Sequence, residues 1–575
     1  MLPSRLIRLV PLAVLLALPA VGQTRSLALE PCTERGLPAD ARCGTLQVPE
    51  NRDRPGGRQL SLYVVVIPAR TAAPAREALT FFGGGPGQAI AGSAGPFGEL
   101  FEPVRETRDL LFVDQRGTGR SSPLKCHFRD PDNPQTYLDR FIPPDGAAQC
   151  RDSLARTADL ARYGYPELAH DVEAVRTALG YEALDLWGGS YGTRAALVYA
   201  RMYPRRVRSM ILHGLAPAEY LQPADYATDM QAALDGLMAY CRADAACHAA
   251  FPDAAAEVRA LADRLGARPA TAEILDAATG RAVRLTLARG TFAETLRRML
   301  YEPSNANRIP YVVHQAFTGD YRPLLRQALA DRRGMEGSVG GLFLSINCSE
   351  DIPFIDPAAV ARQNGTTLLG DYRYTQQAAA CRGWPTYTPP ADYHQPVRSD
   401  VPVLLLSGEL DPVTPPRWGT MAAAALPNAL HVIVPGAGHG FGGMEGAECV
   451  ESMMVQFAVQ RSARGLDTDC VQRMRRPAFL TEMQRTVTME PAALRRLAGS
   501  YASAQPSVQA QVEAAGEGLI VRLSQGGVLA ALPITPTRFV WESSPAGWEM
   551  VFGDDAGTLT LRRPGQPDVV LARRP

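Results

Sequence analysis

The sequence of 575 residues has almost no lysine and no excess of either charge. Its 59 basic residues are matched by 59 acidic ones, and every basic residue except Lys125 is arginine. Proteins that bind nucleic acid or anionic membranes usually carry a clustered basic excess, which this composition lacks. We therefore expect neither a nucleic-acid partner nor binding to an anionic membrane surface.

The sequence also lacks an apolar run long enough to cross a bilayer. The longest one, residues 9–20, is shorter than the roughly 20 residues that a spanning helix needs. It follows Arg5 and Arg8 and ends in small residues up to Gly22, which is the pattern of a secretory signal peptide. We predict a signal peptide over 1–22, export to the periplasm or the medium, and no membrane span.

Metal-binding spacings are missing as well. The ten cysteines form no Cys-x-x-Cys pair and the eight histidines form no His-x-x-x-His pair, so no metal or cofactor is predicted. Oxidising compartments allow disulfides to persist, and the cysteines fall into neighbours along the chain. Several free buried cysteines are the alternative. The five predicted local disulfides are Cys32–Cys43, Cys126–Cys150, Cys241–Cys247, Cys348–Cys381 and Cys449–Cys470.

Short apolar runs alternate with helical patterns through much of the chain. The helical patterns cover 96–105 and 169–180, and the runs look buried on both faces. That combination is typical of a mostly parallel sheet covered by helices, the α/β class. The runs lie at 58–68, 78–82, 109–113, 184–187, 207–214, 401–408 and 430–434.

Two segments depart from this alternation. Residues 216–399 are rich in alanine, arginine and helical periodicity, and structureless loops beyond about 15 residues are uncommon, so we predict a large helical cap there. The sheet-forming core then comprises 23–215 and 400–485. The tail, 493–575, consists of short alternating runs separated by Gly, Pro and Asp, which predicts a small antiparallel β module. The tail has no histidine or cysteine, and we assign it no chemistry.

One stretch organises the candidate chemistry. Gly188-Gly189-Ser190-Tyr191-Gly192 follows an apolar run and precedes helix-forming residues, so it reads as strand, sharp turn and helix. A serine on such a strained turn needs neighbours without bulk, which the flanking glycines provide. We therefore predict that Ser190 is a nucleophile.

The partners of Ser190 are expected in loops that follow two later strands. Asp411 follows the run ending at Gly408, and His439 follows the run ending at 434. Catalytic groups of open α/β sheets gather at the carboxyl ends of the strands, and serine, acid, histidine is the hydrolase chain order. We predict His439 as the base and Asp411 as the group that orients it, with Glu409 as the alternative acid.

A glycine-rich loop supplies candidates for an oxyanion hole. Such a hole takes one backbone N–H from the residue after the nucleophile, here Tyr191, and one from a loop after an early strand. Gly84 and Gly85, in the glycine run 83–87, are the candidates for the second donor. A phosphate-binding loop is excluded because no Lys-Ser or Lys-Thr follows.

Five motifs in this order resemble those of a known family. They are similar to the motifs of α/β-hydrolase peptidases of the prolyl aminopeptidase and tripeptidyl aminopeptidase group, over roughly residues 45–480. Many relatives have histidine in place of Gly83, a departure that leaves the glycine loop intact but alters how it is held. The motifs are Gly-Gly-Gly-Pro-Gly at 83–87, Asp-Gln-Arg-Gly-Thr-Gly-Arg-Ser at 114–121, Gly-Gly-Ser-Tyr-Gly at 188–192, Gly-Glu-Leu-Asp-Pro-Val-Thr-Pro at 408–415 and Gly-His-Gly at 438–440.

The resemblance implies an α/β-hydrolase fold and a serine exopeptidase whose partner is a peptide with a free N-terminus. It also implies that carboxylates of the cap pair with the free amino group. An ammonium in a partly dry cleft needs a negative partner, and we assign this role to Glu350 and Asp351. The alternative for this pair is a solvated acidic turn beside a Cys348–Cys381 bridge.

Two other functions remain open from the sequence. A carboxylesterase could use the same serine, acid and histidine, because a fold does not determine the substrate. A non-catalytic binding protein could also keep the fold. The complete set of serine, acid, histidine and glycine loop argues against that second alternative.

Overall fold

The structure is a computed structural model that describes residues 27–574 except 35, 73, 277, 336–339, 483–486, 504–507, 525–527, 542–548 and 564–565. The predicted signal peptide lies outside the described residues. Within them, no helix is both long enough and apolar enough to cross a membrane.

Among the described residues, eleven strands precede the C-terminal module, and nine of them form one sheet. They are β1 (Glu30–Pro31), β2 (Arg42–Pro49), β3 (Gln59–Ile67), β4 (Glu77–Phe82), β5 (Asp109–Val113), β6 (Ala183–Gly189), β7 (Val207–His213), β8 (Ala270–Asp276), β9 (Arg281–Leu287), β10 (Val403–Gly408) and β11 (Ala429–Val434). The order across the sheet is β1-β2-β3-β5-β4-β6-β7-β10-β11.

The sheet is parallel from β5 to β11 and antiparallel at the edge formed by β1, β2 and β3. The predicted mostly parallel sheet is therefore confirmed. Because the parallel strands share one direction, the loops after β4, β6, β7, β10 and β11 all emerge at one edge. Every candidate residue for nucleophile, acid, base and oxyanion hole follows one of these strands.

Helices cover both faces of the sheet. Before the cap they are α1 (Ala94–Leu100), α2 (Gln135–Leu138), α3 (Pro144–Leu154), α4 (Tyr165–Leu179) and α5 (Tyr191–Met202). α4 begins with proline in its first turn and ends at Gly180, which has φ 76° and closes the helix in the left-handed conformation. Both α4 and α5 pack on one face through residues such as Val172, Val175, Leu197 and Tyr199.

The segment between β7 and β10 forms the cap. It contains α6 (Tyr226–Ala243), α7 (Ala245–Ala250), α8 (Ala254–Ala267), α9 (Arg289–Met299), α10 (Pro303–Ala306), α11 (Ile309–Phe317), α12 (Arg322–Gly334), α13 (Gly341–Ile346), α14 (Pro357–Asn364) and α15 (Tyr372–Cys381). A five-residue π-helix, Asn347–Asp351, follows α13, and β8 pairs with β9 in a hairpin that the helical pattern did not predict. Tyr137 and Leu138 of α2 pack into the apolar core of the cap.

After the cap come α16 (Pro416–Ala423), α17 (Glu448–Gln460) and α18 (Pro491–Leu497). The tail closes into an antiparallel barrel, in which the first strand pairs with the last. The predicted β module is thus confirmed, and its closure removes the exposed sheet edges. The strands are β12 (Gly499–Ala502), β13 (Gln509–Ala515), β14 (Gly518–Leu523), β15 (Val528–Pro533), β16 (Arg538–Trp541), β17 (Glu549–Phe552), β18 (Thr558–Arg563) and β19 (Gln566–Arg573).

All five predicted disulfides form, with Cα–Cα distances between 5.0 and 5.8 Å. No cysteine of the described residues is free. Two of the bonds, Cys241–Cys247 and Cys348–Cys381, lie in the cap. Five disulfides are consistent with an exported protein.

Candidate active site

Ser190 lies at the turn between β6 and α5, where the chain passes from sheet to helix. Its backbone has φ 54° and ψ −122°, a conformation that residues other than glycine rarely adopt. The Ser190 N–H donates to the carbonyl of His213 at the end of β7 (2.8 Å). The neighbouring strand thus holds a strained turn that presents the hydroxyl to a cavity.

The two flanking glycines have no space for a side chain. A Cβ on Gly192 would lie 2.0 Å from the carbonyl oxygen of Phe82, and one on Gly188 would lie 2.6 Å from the carbonyl oxygen of Gly192. Both contacts are with backbone atoms, which cannot move away without displacing β4 or α5. The close packing of strand, turn and helix therefore requires glycine at both positions.

Asp411 and His439 meet at the carboxyl edge of the sheet. The Asp411 Oδ2 lies 2.7 Å from the Nδ1 of His439. The Asp411 Oδ1 accepts the N–H groups of Val413 (2.8 Å) and Thr414 (2.9 Å), while the Thr414 hydroxyl donates to Oδ2 (2.8 Å). Four hydrogen bonds thus fix the carboxylate, and the carboxylate fixes the ring of His439.

The alternative acid, Glu409, faces elsewhere. It is exposed, and its Oε2 accepts the hydroxyl of Tyr240 (2.7 Å) and the N–H of Gly436 (2.6 Å). These bonds brace the loop after β11 from outside. The geometry therefore favours Asp411 over Glu409 as the partner of His439.

The glycine loop after β4 lies against Ser190. A Cβ on Gly84 would lie 3.6 Å from the Cβ of Ser190, and Gly85 has φ 123°, which only glycine adopts readily. Tyr191 is the first residue of α5, so its N–H is one of the helix amides without an intrahelical acceptor. The structure thus places Gly84 and Tyr191 next to Ser190, and Gly85 lines the same cavity.

A cavity of about 450 Å³ lies between this edge of the sheet and the cap. Ser190, His439, Gly84 and Gly85 line its floor. Its size lies within the range of small-molecule and peptide sites. The side chains of the cap that line it include Tyr226, Arg297, Arg298, Tyr301, Glu302, Met335, Phe343 and Arg373.

The charges of the Asp411–His439 pair suit acid–base chemistry. Burial opposes ionisation of Asp411, but His439 and two backbone N–H groups outweigh it, so the pKa of Asp411 lies below its usual value. Burial likewise disfavours the imidazolium, yet Asp411, Tyr301 and Glu302 stabilise it and raise the pKa of His439. A histidine of raised basicity, held beside an ionised carboxylate, can accept a proton from a nearby hydroxyl.

Glu350 and Asp351 do not lie in this cavity, contrary to their predicted role with the substrate amine. Both belong to the buried π-helix and are 0% and 1% exposed. Glu350 accepts the hydroxyls of Tyr387 and Tyr393, and Asp351 pairs with Arg194 at 2.8 Å. Both side chains are buried and bonded within the protein, so an incoming ammonium cannot reach them. The solvated turn considered as the alternative is also wrong, because the segment is buried.

Sequence reasoning missed the carboxylate that does line the cavity, Glu302. Its Oε2 accepts the N–H of Gly442 at 2.8 Å, and a Cβ on Gly440 would lie 2.2 Å from its Oε1. Glu302 therefore lies beside the loop that carries His439. The only local signal is a glutamate before the proline that starts α10, which resembles an ordinary helix start.

Comparison with known proteins agrees with this architecture. Residues 77–442 match the model of the alpha/beta hydrolase fold family, and the chain belongs to this family. A serine on a strand–helix turn beside an Asp-paired histidine is the arrangement of its serine hydrolases. The family and the names of the relatives below support hydrolase activity.

Individual relatives show which members of the family this chain resembles. Serine protease Hip1 of Mycobacterium tuberculosis is 29% identical over 472 residues, which cover 74% of this chain and 86% of the relative. Tripeptidyl aminopeptidase of Streptomyces lividans is 28% identical over 199 residues, 31% of this chain and 35% of the relative. The crystal structure of proline iminopeptidase from Mycobacterium smegmatis matches 72% of this chain and 98% of its own, with 16% identity and a TM-score of 0.34. The resemblance to an α/β-hydrolase serine peptidase group is confirmed.

Proposed function

We propose that the protein is an exported serine exopeptidase that releases one or a few residues from the N-terminus of peptides through an acyl-enzyme. In this proposal Ser190 is the nucleophile, His439 the base and Asp411 the acid that orients the base. The names of the relatives, a serine protease and a tripeptidyl aminopeptidase, support a peptide substrate. No cofactor is required for this chemistry.

The first half of the reaction forms the acyl-enzyme. His439 takes the proton of the Ser190 hydroxyl through Nε2 while the serine oxygen attacks the carbonyl carbon of the scissile bond. The negative charge on the carbonyl oxygen is stabilised by the N–H of Tyr191 and one from the Gly84–Gly85 loop. His439 then donates its proton to the leaving amine. In the second half, water replaces that amine and His439 repeats both transfers.

Glu302 is the single observation that carries the exopeptidase assignment. It is the one carboxylate among the described residues that line the cavity, and it lies beside the His439 loop. A peptide N-terminus placed next to the scissile bond brings its ammonium into this partly buried space, where a carboxylate is needed to stabilise it. Glu302 takes the role that the sequence had suggested for Glu350 and Asp351.

Matched peptides test the proposal. One set has a free N-terminus, a second is N-acetylated, and simple esters form a third. We expect the free peptides to be cleaved at least about tenfold faster in kcat/KM than the acetylated ones, as the loss of a charge-assisted bond implies. Glu302→Gln should remove most of this preference, while Glu409→Gln, at an exposed carboxylate outside the cavity, should leave it unchanged.

Three results would contradict the proposal. Equal rates on free and blocked amines would exclude an aminopeptidase. Hydrolysis of esters with no cleavage of any peptide would identify a carboxylesterase instead. Activity near wild type in Ser190→Ala, with an unchanged Tm, would exclude Ser190 as the nucleophile.

A further inference from the structure

The cavity wall contributed by the cap carries more positive than negative charge. Three guanidinium groups line it, those of Arg297, Arg298 and Arg373, against the one carboxylate of Glu302. Glu302 lies at the His439 loop, whereas all three arginines lie on α9 and α15 of the cap. The cavity therefore has an acidic side at the loop and a basic side on the cap.

Two of these arginines share a single counter-ion. The Arg297 Nε and Nη2 donate to the two oxygens of Glu294 (2.9 and 2.6 Å), and the Arg373 Nη1 donates to the same carboxylate at 2.8 Å. Glu294 is 1% exposed and lies behind the wall. One carboxylate for two guanidinium groups leaves one positive charge without a partner of opposite sign.

Arg298 adds a further charge at the same wall. Its guanidinium carbon lies 4.1 Å from the centre of the Tyr301 ring, and its Nε is buried without an acceptor. Buried Arg332 and partly buried Asp331 add one charge of each sign; Asp331 accepts a bond from Gln327 (2.9 Å), and its negative charge is stabilised by Arg298. The four guanidinium groups of Arg297, Arg298, Arg332 and Arg373 thus outnumber the carboxylates of Glu294 and Asp331.

The pKa of Tyr301 shows the effect of these positive charges. Burial opposes ionisation of its hydroxyl, but Arg297 and Arg298 outweigh that effect and lower the pKa of Tyr301 to about 8. The Arg297 Nη1 also donates to this hydroxyl (2.9 Å). An ordinary buried tyrosine shows the opposite shift, so the wall attracts negative charge.

We propose that this wall is a carboxylate-binding subsite, centred on Arg298 and flanked by Arg297 and Arg373, which selects substrates bearing a carboxylate close to the scissile bond. The inference rests on the proposed peptidase function, since it names the class of peptide that the same cavity takes. Arg298 and His439 both contact the Tyr301 ring, whose centre lies 4.1 Å from the guanidinium carbon and 5.0 Å from the centre of the imidazole ring. A peptide advances about 3.4 Å per residue, so the carboxylate belongs to a residue within one or two positions of the cleaved bond.

Two sources supply this group. One is the side chain of an aspartate or glutamate, and the other is the C-terminal carboxylate of a short peptide, whose ammonium would then face Glu302. Both present the planar pair of oxygens that a guanidinium binds with two parallel hydrogen bonds.

Paired peptides separate these sources. The first pair places Glu or Gln next to the scissile bond of an otherwise identical peptide amide, and the second compares a short peptide acid with its amide. Wild-type protein should cleave the carboxylate member of at least one pair about tenfold faster in kcat/KM, the factor expected for one charged hydrogen bond. Equal rates within both pairs would overturn the proposal.

A variant pair assigns the effect to the wall. Arg298→Met should bring the ratio of kcat/KM between the carboxylate member and the neutral member close to one. Arg259→Met, which removes the same charge from an exposed position on α8, should leave the preference intact. If Arg298→Met fails to fold, a lowered Tm will show it, and Arg298→Lys is then the variant to test. Lysine keeps the positive charge but cannot donate two parallel hydrogen bonds to a carboxylate, so the preference should weaken. A preference unchanged in every folded Arg298 variant would refute the assignment.

Binding to Ser190→Ala distinguishes failure of this inference from failure of the proposed function. Calorimetry with the same four peptides requires no turnover, so it measures the subsite even if the protein cleaves no peptide. Tighter binding of the carboxylate members without cleavage in wild type would retain the subsite and reject the peptidase. Cleavage of free-amine peptides with no difference between the carboxylate and neutral members, in binding or in rate, would retain the peptidase function and reject the subsite.

Discussion

Replacing Asp411 with asparagine tests the chemistry of the site with the least disturbance of its shape. The amide oxygen of Asn can still accept the N–H groups of Val413 and Thr414, which now bond to Oδ1 at 2.8 and 2.9 Å. Its NH₂ group then faces the Nδ1 of His439, where Oδ2 lies at 2.7 Å in the native protein. Two bonds at this position change their polarity, the one to histidine and the one from the Thr414 hydroxyl (2.8 Å). That hydroxyl can rotate to accept instead of donating, so we expect the fold to be preserved.

The change nevertheless removes the function of the histidine. An NH₂ group is a donor, so Nδ1 must become the acceptor and the ring proton moves to Nε2, the atom that has to accept the proton of Ser190. The imidazolium also loses its buried counter-ion. In serine proteases the same substitution at the corresponding acid costs about 10⁴ in kcat. We expect a loss of this order, about 5 kcal/mol of transition-state stabilisation.

The assay should not depend on knowledge of the substrate. The rate at which a fluorophosphonate labels Ser190 measures activation of the hydroxyl by His439, and kcat on a cleaved peptide measures the complete reaction. Glu409→Gln is the matched control, because it also turns a carboxylate into an amide in the same loop but contacts Tyr240 and Gly436 instead. Retention of most of the labelling rate in Asp411→Asn, or a comparable loss in Glu409→Gln, would refute this reasoning.

Three further predictions concern pH, packing and stability. Labelling of Ser190 needs neutral His439, whose pKa is raised partly by Glu302, so the labelling rate should increase with pH and reach half of its maximum above pH 6.5. Glu302→Gln should move this midpoint to lower pH, and an unmoved midpoint would contradict the interaction between Glu302 and His439. Gly192→Ala forces a Cβ to within 2.0 Å of a backbone oxygen and should cost about 1–3 kcal/mol in chemical denaturation, whereas Gly56→Ala, with nothing within 4 Å, should cost almost nothing. Burial raises the pKa of Glu350 from 4.5 to about 7, so the native state holds this proton more tightly than the unfolded chain does. The free energy of unfolding should therefore fall by up to about 3 kcal/mol as the pH rises from 4.5 to about 7. Glu350→Gln should abolish this pH dependence; a pH dependence that persists in the variant would show that Glu350 does not cause it.

Local patterns predicted most of the strands that carry the site. The strand predicted at 109–113 has those bounds in the structure, and the run at 401–408 begins two residues later as β10. Such runs are recognisable because both faces are buried, which removes any polar alternation. The disulfide pairing could also be predicted from the sequence, since each cysteine bonds with its neighbouring cysteine in the chain.

The features that local patterns did not predict depend on contacts between segments that are distant in the chain. The hairpin of β8 and β9 was missed because the alternation in its first strand is short: only Thr271 and Glu273 are exposed, and the last three residues of the strand are all buried. Closure of the barrel requires β12 to pair with β19, about the full length of the module away, and no short window encodes that pairing. Glu350 resembled a surface acid until packing surrounded it with tyrosines.

The cap is joined to the histidine loop through its main chain. The N–H of Gly440 donates to the carbonyl of Tyr301 (2.8 Å), and the N–H of Ser304 donates to the carbonyl of Gly442 (3.0 Å). The cap therefore cannot lift away at this side without dragging His439 from Asp411. Access for the substrate has to come from another side, and a ligand that strains the cap here alters the base as well, so recognition and proton transfer are mechanically linked.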